Sequence, residues 1–429
     1  MRRFIGFWIL SVGVLLSHVA FASPQGAFGN DARSVARAGA VVSSVEPHVA
    51  AAVNPARLIM TRGIELSLGL VVAEDEIRVQ KADADLDTYV GYSLGTALTL
   101  PLGRWRDRLF AGVTAHLPHK ALYEVRNTAQ SDVVVLNYGD SARRFSLDAA
   151  LAVRIWENYG IGVGLHIMPD VVADVDIDFV SDAQNSQSHV VVDYKFAPSI
   201  GFYGQINAIF RLGLAYKAAT RLTLDVPANV RVSDSIGQIH TQLKGYAYAE
   251  PHDFSVGLTA DLSSLSSIDW AKFAIHASAN FRYNPYPIAT SAVVTLYDDD
   301  GAVLNESHQN DADFDFSYAL HFAIDWMIRP EIGISAGYAF EKTAIPAQRT
   351  VFNVLDADKN QIAFGFRIAC PESWFSPLGI EFQSSVKFDL LDTRDVEKYV
   401  FLVGNPGFPA IRLEGWMFSW HGALVFRFE

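Results

Sequence analysis

One cysteine, Cys370, stands in the 429 residues. No internal disulfide can form, a usage in keeping with exported bacterial proteins, which often avoid free thiols. Long apolar runs are missing too. Beyond the first two dozen positions no stretch approaches the roughly 18 apolar residues of a transmembrane helix. Positive charge is scarce: 34 Lys and Arg face 47 Asp and Glu, a net charge of −13. Such a chain has no electrostatic footprint for nucleic acid. Half of the residues are nevertheless hydrophobic and 12% are aromatic. With no spanning helix to hold them, these side chains belong to a soluble core or to a membrane surface hidden in alternation.

The start of the chain decides the compartment. Arg2 and Arg3 precede an apolar run from Phe4 to Leu16, and Ala20-Phe21-Ala22 has the small residues of a signal peptidase site. Residues 1–22 read as a cleaved signal peptide, with the mature chain beginning at Ser23. No Cys follows the cleavage site, so a lipoprotein anchor is not expected. Arg2 and Arg3 are the only charged residues removed, so the mature charge is −13 − 2 = −15.

Alternation dominates the rest. Phe314, Phe316, Tyr318, Leu320, Phe322, Ile324 and Trp326 interleave with Asp315, Ser317, Ala319, His321, Ala323 and Asp325. Successive side chains of a strand point to opposite faces, so this is one strand with an apolar and a polar side. The pattern recurs to give fourteen strands, among them single strands over 209–225 and 242–262. Short connections such as 156–159, 329–330 and 370–377 alternate with long ones such as 124–142, 226–241 and 284–312. An even strand number with short turns at one rim and long loops at the other is the pattern of a transmembrane β-barrel. The fold class expected is therefore an all-β antiparallel barrel over 62–429, in a Gram-negative outer membrane bearing lipid and lipopolysaccharide. Arg154, His276, Arg282, His321, Asp325, Arg367, Glu381, Lys387 and His421 would face the bore. The final strand aligns Trp416, Phe418, Trp420, Leu424, Phe426 and Phe428 on one side. This resembles the C-terminal signal of outer-membrane proteins and implies a barrel-assembly machinery as partner in biogenesis. Here Glu429 follows the aromatic residue.

Several motifs invite chemistry and do not support it. Gly91-Tyr92-Ser93-Leu94-Gly95 has the nucleophile-elbow spacing but lies within an alternating strand. His116 and His119 are spaced like metal ligands, with Pro118 between them and no Cys partner. The trios Asp174-Asp176-Asp178 and Asp311-Asp313-Asp315 lack the Gly and distal Glu of a calcium loop. No enzyme, metal or cofactor is expected.

Residues 23–61 differ in kind. They are rich in Ala, Val and Gly and do not alternate, which argues for burial rather than solvation. They contain Arg37-Ala38-Gly39 and then Asn54-Pro55-Ala56. This region resembles the N-terminal hatch of the FadL-like family of outer-membrane transporters for long-chain fatty acids and other hydrophobic compounds. Further similarity lies at Arg211–Lys217, Pro330–Tyr338 and Asp356–Gly365, and the resemblance covers the mature chain. Arg57 stands where that family has Gly. The resemblance implies a fourteen-stranded barrel with a lumenal hatch gated around Asn54, Pro55 and Ala56. It also implies capture of a hydrophobic small molecule by outer loops, a lumenal pocket, hatch movement, and sideways exit at the third strand, where Gly112 and Pro118 are the candidate gate residues. A polar bore is also what a general diffusion porin has, and that alternative stays open as the runner-up.

Overall fold

A computed structural model describes residues 28–428 except 81, 85, 104–106, 120–132, 136–137, 139–143, 179–186, 234–236, 265–271, 289–292, 298–302, 307–311, 351–352, 371–377, 400 and 402–406. The signal-peptide expectation therefore lies outside the described residues. Fourteen strands form a closed ring: β1 (Ile64–Val79), β2 (Tyr89–Thr99), β3 (Leu109–Pro118), β4 (Ser146–Trp156), β5 (Tyr159–Asp178), β6 (Gln187–Gln205), β7 (Phe210–Lys217), β8 (His252–Asp261), β9 (Lys272–Tyr283), β10 (Ser317–Arg329), β11 (Ile332–Glu341), β12 (Lys359–Ala369), β13 (Leu378–Glu397) and β14 (Ala410–Phe428). Each pairs antiparallel with the next. β14 returns to β1 in a ladder from Ile64–Phe428 to Val79–Leu413, so the ring has no open edge.

Alternation sorts the faces as the sequence implies. On β10, Phe322 and Ile324 are 54% and 53% exposed, whereas His321 and Asp325 are 8% and 5% exposed. Exposed Leu151, Val163, Phe364 and Phe388 continue the outer apolar surface around the ring. An apolar exterior on a closed barrel is what lipid contact demands. No helix among the described residues is long and apolar enough to cross a membrane. The strands do the crossing, and a bacterial barrel of this kind belongs in the outer membrane. A charge on this surface is expected to be costly at the middle and cheap at the edge. Phe322→Arg, midway along β10, should destabilise refolding into lipid vesicles by about 2–4 kcal/mol, and Glu397→Arg at the end of β13 by at most about 1 kcal/mol. Equal costs in a urea titration would overturn the placement of Phe322 at the middle of the lipid-facing surface.

The rim carrying Ile64 and Phe428 (proximal below) has the short turns, including Glu157–Asn158 and Pro330–Glu331. Cys370 follows β12 on this rim, its N–H donating to Ile380 O. The distal rim carries the long connections. Two of the fourteen expected strands are cut short there. The span expected as one strand over 209–225 ends as β7 at Lys217, and a separate strand begins at Thr220. The span over 242–262 divides at Pro251 between a strand ending at Glu250 and β8. The reason is tertiary. Ala218 N–H still donates to Pro198 O in register with the β6 ladder, but the next N–H, that of Ala219, goes to the His252 side chain, whose Nδ1 accepts it at 3.1 Å, and there the chain leaves the ring. The hairpin Thr220–Glu250 then crosses the mouth, and its Ala228–Arg231 pairs in parallel with Val175–Asp178 of β5. Alternation persists through both strands, so periodicity alone does not register the departure.

Candidate functional site

Residues 28–60 fill the bore. A short helix, α1 (Ala32–Ala36), is capped by Asp31, whose carboxylate accepts the Ser34 and Arg33 N–H groups at 3.1 and 3.3 Å. Turns at Pro47–Val49 and Pro55–Met60 flank a second helix, α2 (Ala50–Val53). Phe28, Val45, Ala50, Leu58 and Ile59 are all buried. The segment is made of small residues because it must lie backbone-close to the wall, and the wall gives way where they touch. Several inward positions at the contacts are glycine. A Cβ at Gly162 or Gly201 would overlap the Asn54–Ala56 turn, one at Gly213 would overlap Val42–Ser43, and one at Gly337 would overlap Arg37. Gly112, expected as a gate residue, is one of these notches and receives the Leu58 side chain.

The Asn-Pro-Ala turn now has a physical account. Asn54 is fully buried. Its Nδ2 donates to Val42 O at 2.9 Å within the segment and to Phe202 O of β6 at 3.1 Å, while its Oδ1 accepts the Ala56 N–H. One amide thus closes the turn and fastens it to the wall, while Pro55 holds φ for the turn that follows. Arg57, which departs from the expected Gly, lies with its guanidinium 4.5 Å from the Tyr203 ring centre and donates to Val45 O.

The Arg-Ala-Gly motif is a second fastening. Arg37 Nε donates to Asp325 Oδ1 at 3.1 Å, Arg37 Nη2 binds the other carboxylate oxygen, and Arg37 Nη1 donates to Ser44 O. Asp325 also accepts from Ser335 Oγ at 2.7 Å and pairs with Arg33. Ala38 and Gly39 follow with φ of +45° and +82°. The left-handed Ala38 costs about 1–2 kcal/mol. His321 Nδ1 donates to the carbonyl of Ala38 at 2.7 Å and holds the turn. Gly39 is required twice over, because a Cβ there would also press on the His321 ring. Ser43 and Thr259 hydroxyls meet at 2.8 Å. Arg33 in turn pairs with Glu46. Burial alone would raise the Glu46 carboxyl, but Arg33 and Arg37 hold it well below the usual carboxylate range. The charged side chains expected to face the bore do so, and Asp325 and His321 bind the N-terminal segment rather than lining water.

Distal to the segment the bore is partitioned. On one side, inward Val71, Ile77, Leu391, Leu413 and Met417 pack with Phe28, Tyr138 and Leu355. Phe28 stacks on Tyr89 with ring centres 4.0 Å apart, and the Tyr89 hydroxyl hydrogen-bonds His116 Nε2. Over them, Val133–Val135 from the β3–β4 loop pairs in parallel with Asn353–Leu355 from the β11–β12 loop. On the other side lies a cavity of about 300 Å³ whose floor is the N-terminal segment.

Asp356 closes the second of those loops and accepts from Thr343 Oγ1 at 2.6 Å. Burial raises its carboxyl to about 6, against the pull of Lys359 and the Thr343 bond. A raised carboxyl stabilises the fold when protonated. Its contribution is complete below the ordinary 3.8 and is lost as pH rises through about 6. At about 1.4 kcal/mol per unit the effect is roughly 3 kcal/mol. Exchange protection of the Val354 and Leu355 amides, corrected for intrinsic rates, should fall between about pH 4 and pH 7. Asp356→Asn should remove that dependence.

The remaining sequence candidates fall apart in space. Ser93 sits within β2 with no helix after it, so the elbow geometry is not formed. His116 is buried against Tyr89, and His119 is exposed against Tyr92. They point to opposite faces and cannot share a metal. Among the described residues no cluster has a metal-ligand arrangement. Asp311 lies outside the described residues, as do the side chains of Asp174, Asp176 and Asp178. Pro118 pairs with Gly91 as the last residue of β3, and both ladders of β3 run through Gly112 without a register shift. No break interrupts the third strand in this conformation.

No protein-family model and no curated protein matches the sequence. Solved structures do match the fold. A Pseudomonas aeruginosa FadL homologue is 12% identical with a TM-score of 0.59, over 96% of this chain and 99% of its own. The toluene transporter TodX of P. putida is 13% identical with a TM-score of 0.57, over 96% and 99%. The toluene transporter TbuX of Ralstonia pickettii is 12% identical with a TM-score of 0.53, again over 96% and 99%. A fourteen-stranded ring, an apolar exterior and end-to-end agreement with these structures give the chain the FadL-like outer-membrane barrel fold.

Proposed function

We propose that the protein is a plugged uptake channel for hydrophobic small molecules, long-chain fatty acids or aromatic hydrocarbons in class. The observation that carries this reading is the closure of the bore by residues 28–60, seated on wall glycines and fastened by Asn54 and Arg37. A hydrophobic solute gains nothing from an open aqueous pore. It needs a site that binds it and a plug that yields. Distal loops capture the solute, the cavity holds it, and the N-terminal segment acts as a hatch pivoting about the Asn54-Pro55-Ala56 turn. Release is sideways, past β3. There Leu58 withdraws from Gly112, and Pro118 has no N–H to give the neighbouring strand.

A general diffusion porin is the second reading, favoured by the charged inward wall. It is opposed by the engagement of that wall with the hatch. Planar-bilayer recording of the intact protein distinguishes the two. Near silence together with uptake of a labelled fatty acid or alkylbenzene into whole cells is the expected result. A large steady conductance of the intact chain would make it a porin.

A further inference from the structure

The cavity above the hatch has two unlike surfaces. Its floor is apolar, formed by Val35, Ala38, Val41, Val42, Ala51 and Val53. Its wall mixes cations and carboxylates, and three pairs of them meet at short range. Lys217 Nζ lies 3.0 Å from Glu250, and Lys359 Nζ lies 3.1 Å from Glu341. Arg282 Nε donates to Asp253 at 3.1 Å. The same Asp253 accepts from Ser255 Oγ at 2.6 Å and from Asn280 Nδ2 at 3.0 Å, so donors and acceptors of both kinds face the space. At about 300 Å³ the cavity is at the small end of ligand pockets.

Two classes of ligand fit this poorly. A bare hydrocarbon would strip water from paired charges and return no hydrogen bond. The penalty is several kcal/mol for such groups, against about 25 cal/mol for each Å² of apolar surface buried. An ion of either sign would sit as near to like charges as to opposite ones, because the wall pairs cancel at short range. A head that is neutral, and both donates and accepts, avoids both penalties.

We infer that the cavity takes an uncharged amphiphile, with an alcohol, phenol or amide head against the paired wall and an apolar body on the hatch floor. The inference rests on the plugged-channel reading and puts a neutral, polar-headed hydrophobic molecule in place of the fatty acid or hydrocarbon as the ligand of this cavity.

Four probes on one skeleton test it: ethylbenzene, 2-phenylethanol, phenylacetate and phenethylammonium. Their binding is measured calorimetrically to the full-length protein in nanodiscs, with empty nanodiscs subtracted. 2-Phenylethanol is expected to bind about tenfold more tightly than each of the others. Ala215→Phe, which fills the cavity from β7, should weaken that binding by about tenfold, and Ser199→Phe from β6 serves where the first variant fails to assemble. Ethylbenzene or either ion binding as tightly as the alcohol would overturn the inference. So would absence of binding by all four, or a filled cavity that binds as before. None of these binding outcomes decides the transport reading, which is tested separately by the silence of the intact barrel and by uptake into whole cells.

Discussion

Removing residues 24–58 is expected to convert a near-silent barrel into a steadily conducting one that still inserts and folds. The strand ladders close on themselves through β14 and β1, and none of their backbone hydrogen bonds is made by the deleted residues. What disappears is the content of the bore. Glycines stand at several of the wall's contacts with the N-terminal segment, so its removal leaves a wider opening than a wall of larger residues would. Conductance in planar bilayers should rise by roughly tenfold or more, since a barrel of this strand number encloses a lumen wider than its side chains alone can fill. Selective uptake of a labelled hydrophobic probe should vanish at the same time. A truncated barrel that assembles normally, with conductance and uptake unchanged, would reduce residues 24–58 to a tail with no gating role.

Asp325→Ala is expected to loosen the hatch without dismantling the barrel. Asp325 is the point at which β10 holds Arg37 and Arg33, with Ser335 beside it. Losing it leaves two arginines in a water-poor site with one carboxylate fewer. Breaking a buried pair in this way costs about 3–5 kcal/mol. The loss falls on the docking of the hatch rather than on the ladder, because the β9–β10 and β10–β11 hydrogen bonds are made by backbone. Two readouts report it: intermittent channel openings, and cleavage within residues 28–60 by a protease added from the proximal side. Pairing Asp325→Leu with Arg37→Met removes both charges together and should restore much of the silence. A silent, protease-resistant Asp325→Ala protein would mean that the glycine notches and Asn54 suffice to hold the hatch.

The fold class was legible in the sequence because a barrel wall has a solvent of different polarity on each side, and a strand reports both at period two. Phe322 and Ile324 against His321 and Asp325 is that rule in one segment. The N-terminal segment was legible as an interruption of the rule, and its two motifs were visible as residue types. What Arg37 and Asn54 do was not. Arg37 is separated from Asp325 by 288 residues, and Asn54 from Phe202 by 148. Nothing in local periodicity pairs positions so far apart. The glycine notches were legible only as small inward residues, because their meaning depends on which part of the hatch each one faces.

By itself, then, the sequence determined the alternation, the even strand number, the short and long rims, the outward apolar face and the non-alternating segment before β1. All of these follow from local geometry and from the polarity of what each side chain touches. Only the tertiary structure decided that the strand after β7 leaves the ring to cross the mouth, that β3 is unbroken at Gly112, and that the inward charges divide between fastening a plug and walling a cavity. These depend on contacts between segments far apart in the chain. Such contacts are settled by closing the ring and packing its bore, and a single strand carries no record of them.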